Sequence, residues 1–154
     1  MIVIGDYIKD IYLYGTVDRI SPESPIPVFL EKRQEERPGG VGNVIANLVA
    51  LGCSEPGCFY ETNSIKNRYV CDNHILFRSD IENNTPTSLN LSVLDTFLSE
   101  NASRHRYAII SDYNKGYVND PISIINLLKK HNIKVIVDPK KSIEFYKNAD
   151  IVKL

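Results

Sequence analysis

The sequence contains few cysteines and histidines, and their spacing argues against a metal site. Its three cysteines are an odd number without Cys-x-x-Cys spacing, so we expect reduced thiols rather than disulfides or zinc ligands. His74, His105 and His131 are dispersed along the chain and show no metal-ligand spacing. We therefore predict no metal ligands among its side chains.

Long apolar runs and an excess of one charge are also missing. No run approaches the ~18 residues that a membrane helix needs, and Met1 stands directly before a strand pattern without a signal peptide. The net charge of −1 argues against non-specific binding to nucleic acid. These absences favour a cytoplasmic protein that binds neither a membrane nor nucleic acid.

What is present is the composition of an ordinary globular domain. Hydrophobic residues make up 43% of the chain and charged residues 24%. A length of 154 residues suits one domain and is enough to bury a core. We therefore treat residues 1–154 as a single domain.

The apolar patterns predict an α/β protein, in which strands alternate with helices. The predicted strands are Met1–Gly5, Ile11–Val17, Ile26–Glu31, Asn67–Cys71, His74–Arg78, Tyr107–Ser111, Ile133–Val137 and Ile151–Val152. The predicted helices are Gly42–Leu51, Ser88–Ser99 and one that begins at Pro121 with Asp120 as its cap. The alternation over residues 106–152 is typical of a parallel, Rossmann-like sheet.

Local signals add detail to these elements. The pair Asp72-Asn73 predicts a hairpin turn between two of the strands. The first helix is expected to face the core with Val44, Leu48 and Leu51, and the helix after Asp120 with Ile122, Ile125 and Leu128. Tyr12 and Tyr14 should share one face of their strand, because side chains alternate with a period of two.

The most informative segment runs from Glu36 to Gly52, where paired glycines lead into a helix. Gly39 and Gly40 carry no side chain, so the backbone can pass close to a ligand. The next turn offers backbone N–H groups and the positive end of the helix dipole, and Asn43 can donate and accept there. The segment suits a polyhydroxylated or anionic small molecule, although an ordinary glycine-containing helix entry is an equal alternative.

Four sequence blocks in order carry a resemblance to a known family. They are Val3–Asp6 with Asp10; Tyr14-Gly15 with Arg19–Val28; Glu35–Gly40 with Asn43 and Asn47; and Ser111–Gly116 with Val137–Lys140. The chain resembles the ribokinase-like (PfkB) carbohydrate kinases, and within them the heptose-7-phosphate kinase branch, which makes lipopolysaccharide precursors. The resemblance implies a Rossmann-type parallel sheet with a small β lid at about residues 11–37. In the family the lid covers the sugar and pairs with a second subunit, whereas the plain alternative is a solvent-facing hairpin.

The resemblance also implies a function and a set of site residues. The implied reaction is phosphoryl transfer from ATP, with Mg²⁺, to a sugar hydroxyl. Carboxylates and amides suit vicinal hydroxyls, and cations suit a sugar phosphate. The candidate substrate-binding residues are Asp6, Asp10, Asn43, Gly39 and Gly40 for the sugar; Arg78, Lys115 and Lys140 for a phosphate; Asp112 and Asp138 to orient those lysines; and Arg19 from the lid.

Each of these assignments has a plain alternative. Asp6 could be a turn or cap residue after its strand, Asp10 a solvated surface carboxylate, and Lys115 and Lys140 solvated loop lysines. The sequence also departs from the family at Lys9, Ile11 and Val41, which leaves the sugar specificity open.

Parts of the family pattern have no match in the sequence. No Gly-x-Gly-Asp context supplies a catalytic base or an anion hole, so we assign no catalytic residue. After Cys58-Phe59 the family continues through one more crossover of roughly 30 residues, whereas this chain moves almost at once to Thr62. We therefore expect a truncated kinase-like chain that is inactive alone, or that needs a partner chain for the missing half.

Two non-catalytic interpretations stay open beside the kinase. The chain could be a module that binds a sugar phosphate without transferring a phosphoryl group, or an interaction protein without a ligand. An exposed sheet edge invites self-association, so we expect a homo-oligomer formed through the lid or through that edge.

Overall fold

The computed structural model describes residues 1–153 and confirms the α/β class, with a mostly parallel central sheet. Its strands are β1 (Ile2–Ile20), β2 (Pro27–Gly40), β3 (Gly57–Cys71), β4 (His74–Glu82), β5 (Tyr107–Ser111), β6 (Lys134–Asp138) and β7 (Ile151–Val152). Its α-helices are α1 (Val41–Ala50), α2 (Leu91–Asn101) and α3 (Pro121–Lys130), and 3₁₀ turns lie at Ala102–Arg104 and Ile143–Tyr146. None of the helices in the described part is long and apolar enough to cross a membrane.

The sheet has the strand order β4-β3-β1-β5-β6-β7, and β2 pairs with the far half of β1. The pairs β1·β3, β1·β5, β5·β6 and β6·β7 are parallel, whereas β1·β2 and β3·β4 are antiparallel. Because the core strands run in the same direction, their carboxyl ends meet at one edge, which is where ligands bind in open α/β sheets.

The strands β1 and β3 are longer than the sequence predicted, and each belongs to two parts of the sheet. The predicted strands at Met1–Gly5 and Ile11–Val17 are one continuous strand. Residues 2–5 lie between β3 and β5 in the core, and residues from Tyr7 onward lie between β3 and β2. We call the second part, with β2, β4 and residues 64–71 of β3, the lid sheet.

The continuity of β3 is interrupted by one irregularity in its pairing with β1. The register shifts where Tyr7 faces Thr62 and Ile8 faces Ser64, so Asn63 is the extra residue. The Asn63 side chain is buried, donating to the Thr87 carbonyl at 3.0 Å and accepting from the Thr87 N–H at 3.3 Å. At this point, where the sequence lacks the expected crossover, the chain runs from the core directly into the lid sheet.

The hairpin between β3 and β4 turns at the predicted pair. Asp72 and Asn73 have φ of 48° and 64°, and Cys71 pairs with His74 across the turn. Two central residues with positive φ form the turn whose twist matches that of the strands it joins, and Asn and Asp tolerate that conformation.

The core lies between one face of the sheet and the pair of helices α2 and α3. Ile2 and Ile4 of β1 are fully buried, as are Leu94 and Leu98 of α2. Asp120 caps α3 by accepting from the Ser123 N–H at 3.1 Å, as predicted.

Two of the predicted helix stripes need correction. In α3, Ile125 and Leu128 are buried, but Ile124 is buried in place of Ile122, which is 38% exposed. Leu51 lies just after the end of α1 and is 84% exposed, because this helix buries its first turn against the sheet and leaves its last turn in solvent.

Candidate functional site

Asp6 lies where the core part of β1 ends, and its carboxylate organises the neighbouring loop. Oδ2 accepts hydrogen bonds from the N–H groups of Tyr113 at 2.8 Å and Lys115 at 3.2 Å, and Oδ1 accepts from Tyr117 at 2.9 Å. Burial raises the pKa of Asp6, although these three hydrogen bonds act in the opposite direction. The contacts favour the alternative in which Asp6 holds a turn in place, since its oxygens are already engaged by backbone.

Asp10 lies four residues farther along β1, on the same face of the strand, and contacts two elements of the lid sheet. Its Oδ1 forms an ion pair with Nη1 of Arg68 on β3, and the two side chains are 19% and 17% exposed. On the other side, a Cβ built onto Gly39 of β2 would collide with Asp10 Oδ2. The structure therefore brings Asp10 and Gly39 together, and Gly39 is glycine because the carboxylate occupies the space of a side chain.

Gly40 and the first turn of α1 directly follow Gly39 in the chain and are part of the same candidate site. Gly40 has φ of 57° and ψ of −131°, and a Cβ at this position would collide with the Asp6 carbonyl oxygen. No side chain caps the helix and no acidic residue lies in its first turn, where the Asn43 side chain is exposed. The first turn of α1 therefore presents backbone N–H groups without a charged side chain to satisfy them.

Asp112 forms a buried hydrogen-bond group at the same edge of the sheet. Its Oδ2 accepts from Lys141 Nζ and from Tyr146 Oη, both at 2.7 Å, and Lys141 also donates to the Val118 carbonyl at 2.6 Å. Burial and the contact with Asp112 raise the pKa of Tyr146 to about 12. These contacts join the loop after β5 to the segment after β6. The two segments at the carboxyl ends of these strands therefore stabilise each other.

The expected partners of Asp112 and Asp138 are therefore wrong. Asp112 contacts Lys141, and Asp138 contacts the exposed Lys153 at 3.2 Å. Lys140 is exposed, and within residues 1–153 it contacts Tyr146, whose Oη accepts from the Lys140 backbone N–H at 3.3 Å. The doublet Lys140-Lys141 was visible in the sequence, but nothing in its pattern shows which lysine turns inward.

The other basic candidates are spread over the lid sheet and its neighbouring loop. Lys115 forms an ion pair with Glu82 on β4. Arg78 pairs with Asp80 at 2.7 Å and is half exposed, and Arg19 is exposed near the far end of β1. The structure does not gather these cations into one cluster.

The face of the lid sheet that holds Asp10 carries two tyrosines and, beside them, charged side chains that were not among the predicted site residues. Tyr12 and Tyr14 share this face, as predicted, with ring centroids 6.3 Å apart. The Arg37 and Arg33 guanidinium groups lie over these rings, at 4.6 Å and 3.6 Å from the centroids. Glu35 lies between them, and its bond from Arg37 at 2.7 Å lowers the pKa of the Glu35 carboxyl.

Comparison with known proteins identifies relatives over nearly the whole chain. The chain is 34% identical to the bifunctional protein HldE of Hyphomonas neptunium and 32% identical to the D-beta-D-heptose 7-phosphate kinase of Bordetella bronchiseptica, with 99% of the chain covered in both cases. It spans 38% and 58% of the lengths of these two proteins. No protein-family model matches the chain.

Solved structures show the same fold. The Arabidopsis thaliana ribokinase in complex with ribose and ATP superposes with a TM-score of 0.54 over 98% of this chain and 58% of its own, at 15% identity. A carbohydrate kinase from Agrobacterium tumefaciens gives a TM-score of 0.55 over 98% and 59%, at 8% identity. The chain has the ribokinase-like fold of these sugar kinases.

The alignment to this family also contains gaps on the side of this chain. The alignment with the Hyphomonas protein has 186 positions whereas the chain has 154 residues, so at least 32 positions of the relative lack a counterpart here. The number of missing positions is close to the length of the crossover that was expected after Phe59. In this protein, β3 runs from that point directly into the lid sheet.

Proposed function

We propose that this chain forms the sugar-binding part of an ATP-dependent sugar kinase. The observation that carries the proposal is the contact of Asp10 with Gly39, directly before the uncapped first turn of α1. A carboxylate accepts hydrogen bonds from sugar hydroxyls, and free backbone N–H groups donate to oxygens, so the two together suit a polyhydroxylated ligand. The Asp10 carboxylate is partly exposed, which leaves it open to such a ligand.

We further propose that the acceptor is a phosphorylated sugar of the heptose class. The support comes from the relative named D-beta-D-heptose 7-phosphate kinase. Its sequence aligns with 99% of this chain, which corresponds to 58% of the relative. The predicted sugar residues Asp6 and Asn43 keep different roles in this proposal. Asp6 holds the loop at Tyr113–Tyr117, whereas Asn43 is exposed on the first turn of α1 and is available to a hydroxyl.

Phosphoryl transfer needs groups beyond the sugar site, and the described residues do not fit the complete set. A sugar kinase needs a base for the acceptor hydroxyl and cationic or backbone groups around the ATP phosphates. Residues 1–153 contain no group of three or more possible metal ligands, and the sequence offers no second glycine-rich phosphate loop. We therefore derive no step through ATP or Mg²⁺ for this chain, and ATP use by the protein rests on its family.

A thermal-shift titration with heptose 7-phosphate, with and without Mg²⁺-ATP, tests the function. A ligand at 100 times its dissociation constant stabilises a folded protein by about 2.7 kcal/mol, which is readily measured. We expect a shift with the sugar phosphate alone. A further shift with ATP, together with ADP release, would show a complete kinase, whereas a sugar shift without turnover would show the non-catalytic binding module. No shift with any ligand would contradict the proposal and favour the interaction protein.

We also propose that the chain self-associates through the apolar face of the lid sheet. There the rings of Tyr69 and Phe77 are stacked, with centroids 4.1 Å apart, and Phe29 packs edge to face against Tyr69. The same face has a shallow pocket with a volume of about 300 Å³, which is lined by Val17, Pro27, Phe29, Leu76 and Phe77. The Leu76 side chain in this pocket is 48% exposed. Apolar patches of this kind on a protein surface mark interaction sites.

A cytoplasmic location is part of the proposal, since such a kinase acts on small phosphorylated metabolites. The three cysteines, Cys53, Cys58 and Cys71, all carry free thiols, as is usual in a reducing compartment.

A further inference from the structure

Arg68 is the basic residue that the structure places against the candidate sugar site. It lies on β3 in the lid sheet and forms its ion pair with Asp10, 58 positions away in the sequence. Its guanidinium also lies 5.2 Å from the centroid of Tyr12, which restricts its orientation. A guanidinium has five donors in a fixed plane, and the Asp10 contact uses one nitrogen.

Lys66 joins Arg68 on the same face of the lid sheet. Lys66 is the register partner of Asp10 in the parallel pairing of β1 with β3, and Arg68 follows it by two residues. Residues two apart on a strand point to one face, so Lys66 and Arg68 both lie on the face of the lid sheet that holds Asp10. Both residues are partly buried.

The charged side chains on this face of the lid sheet carry an excess of positive charge. Two further basic residues, Arg37 and Arg78, have acidic partners of their own in Glu35 and Asp80, each at 2.7 Å. Lys66 forms no ion pair within residues 1–153. Asp80 faces Lys66 across the pairing of β3 with β4, but its ion pair is with Arg78. The two carboxylates Asp10 and Asp80 therefore face three cations, Lys66, Arg68 and Arg78, which leaves an excess of positive charge on this face.

We propose that Lys66 and Arg68 bind the phosphate group of the acceptor sugar while Asp10 binds its hydroxyls. The assignment rests on the proposed sugar-kinase function and goes beyond it, because it names the residues that select a phosphorylated sugar over a neutral one. An arginine fork matches two phosphate oxygens, and a lysine adds a point charge. The phosphate is thereby held by the lid sheet, and the sugar ring lies toward Gly39 and the first turn of α1.

Isothermal titration with heptose 7-phosphate and with the dephosphorylated heptose tests this assignment. We expect the wild-type chain to bind the phosphorylated sugar at least about 10-fold more tightly, with a preference that shrinks as salt is added. Lys66→Met should weaken binding of the phosphorylated sugar about 10-fold and leave that of the neutral sugar within about 2-fold. Lys66→Arg keeps the charge and should retain the preference.

The control is Lys9→Met, which removes a lysine from the opposite face of the same lid sheet. Lys9 alternates with Asp10 on β1 and pairs with Glu36 at 2.8 Å, so its loss should change neither affinity. Equal affinity of the wild type for both sugars, or an unchanged preference in Lys66→Met, would overturn this assignment and leave the sugar-kinase proposal standing. Absence of binding for either sugar would overturn both.

Discussion

At the scale of single residues, buried carboxylates hold the edge of the sheet where the site lies. Asp6 accepts three backbone hydrogen bonds, and Asp112 accepts from Lys141 and Tyr146. Removing the hydrogen bonds of either carboxylate would destabilise the folded protein, because a buried charge without hydrogen-bond partners has a large desolvation penalty. The two residues therefore fix the loops, and Asp10 is the carboxylate that remains open to a ligand.

Tyr146→Phe tests the group around Asp112. Its hydroxyl donates to Asp112 at 2.7 Å and accepts from the Lys141 N–H at 3.1 Å, so its removal leaves buried polar groups unpaired. We expect a loss of about 1–3 kcal/mol in the free energy of unfolding, measured by urea denaturation. Tyr113→Phe is the matched control, because Tyr113 is 39% exposed and its hydroxyl makes no hydrogen bond within residues 1–153. An equal loss in both variants would contradict the role of Tyr146.

The raised pKa of Tyr146 gives this prediction a pH dependence. Burial and the hydrogen bond to Asp112 raise the pKa of the Tyr146 hydroxyl to about 12 in the folded protein, above the ordinary tyrosine value of 10.0. A raised folded pKa stabilises the protein below the unfolded value and loses that contribution as the pH rises through the folded value. The stability difference between wild type and Tyr146→Phe should therefore be complete below pH ~10 and shrink between pH ~10 and ~12.

At the scale of elements, β1 and β3 carry the site because each strand extends from the core into the lid sheet. The core part of β1 ends at Asp6, and its lid part presents Asp10 to Arg68 of β3. β2 then closes on β1 from the other side, with Gly39 opposite Ile8. The candidate sugar site therefore depends on how closely β2 can approach β1.

Gly39→Ala tests that approach. The added methyl group would collide with the Asp10 carboxylate and lie near the Ile8 carbonyl. We expect a loss of about 1–3 kcal/mol in stability together with weaker sugar binding, measured by denaturation and titration. In an Asp10→Ala background the same substitution should cost less, because the colliding carboxylate is gone. The same cost in both backgrounds would show that the two residues are not coupled.

At the scale of the whole molecule, the chain has two distinct surfaces on its lid sheet. One face carries Asp10, Lys66 and Arg68 beside tyrosine rings, and the other carries the apolar group around Phe77. Alternation of side chains along each strand separates the two faces. A ligand and a second copy can therefore use the lid sheet at the same time.

Leu76→Lys tests self-association through the apolar face. Leu76 lines the shallow pocket there and is 48% exposed, so a lysine at this position should be tolerated in the monomer and disfavoured in an apolar interface. We expect sedimentation to show an oligomer for the wild type and a shift toward monomer for the variant. Leu51→Lys adds the same charge at a position that is 84% exposed just after α1, outside the lid sheet, and should leave the oligomer intact. A monomeric wild type would contradict the proposal.

The sequence by itself determined the features that depend on neighbouring residues. The strand Tyr107–Ser111, the turn at Asp72-Asn73 and the Asp120 cap of α3 were predicted from local patterns, and the structure confirms each of them. The four blocks also predicted the ribokinase-like fold, because their residue types and order are properties of the sequence alone. Helix faces were less well predicted, since Leu51 and Ile122 face solvent for reasons that only packing decides.

Only the tertiary structure decided which charged side chains meet. The ion pair of Asp10 with Arg68 joins residues 58 positions apart, and that of Asp112 with Lys141 joins residues 29 positions apart. Such partners depend on the register of strands that are distant in sequence, and a shift of one residue would turn each side chain to the other face. The sequence therefore supplied the kinds of residue expected in a sugar site, and the sheet register decided which of them lie together in the candidate site.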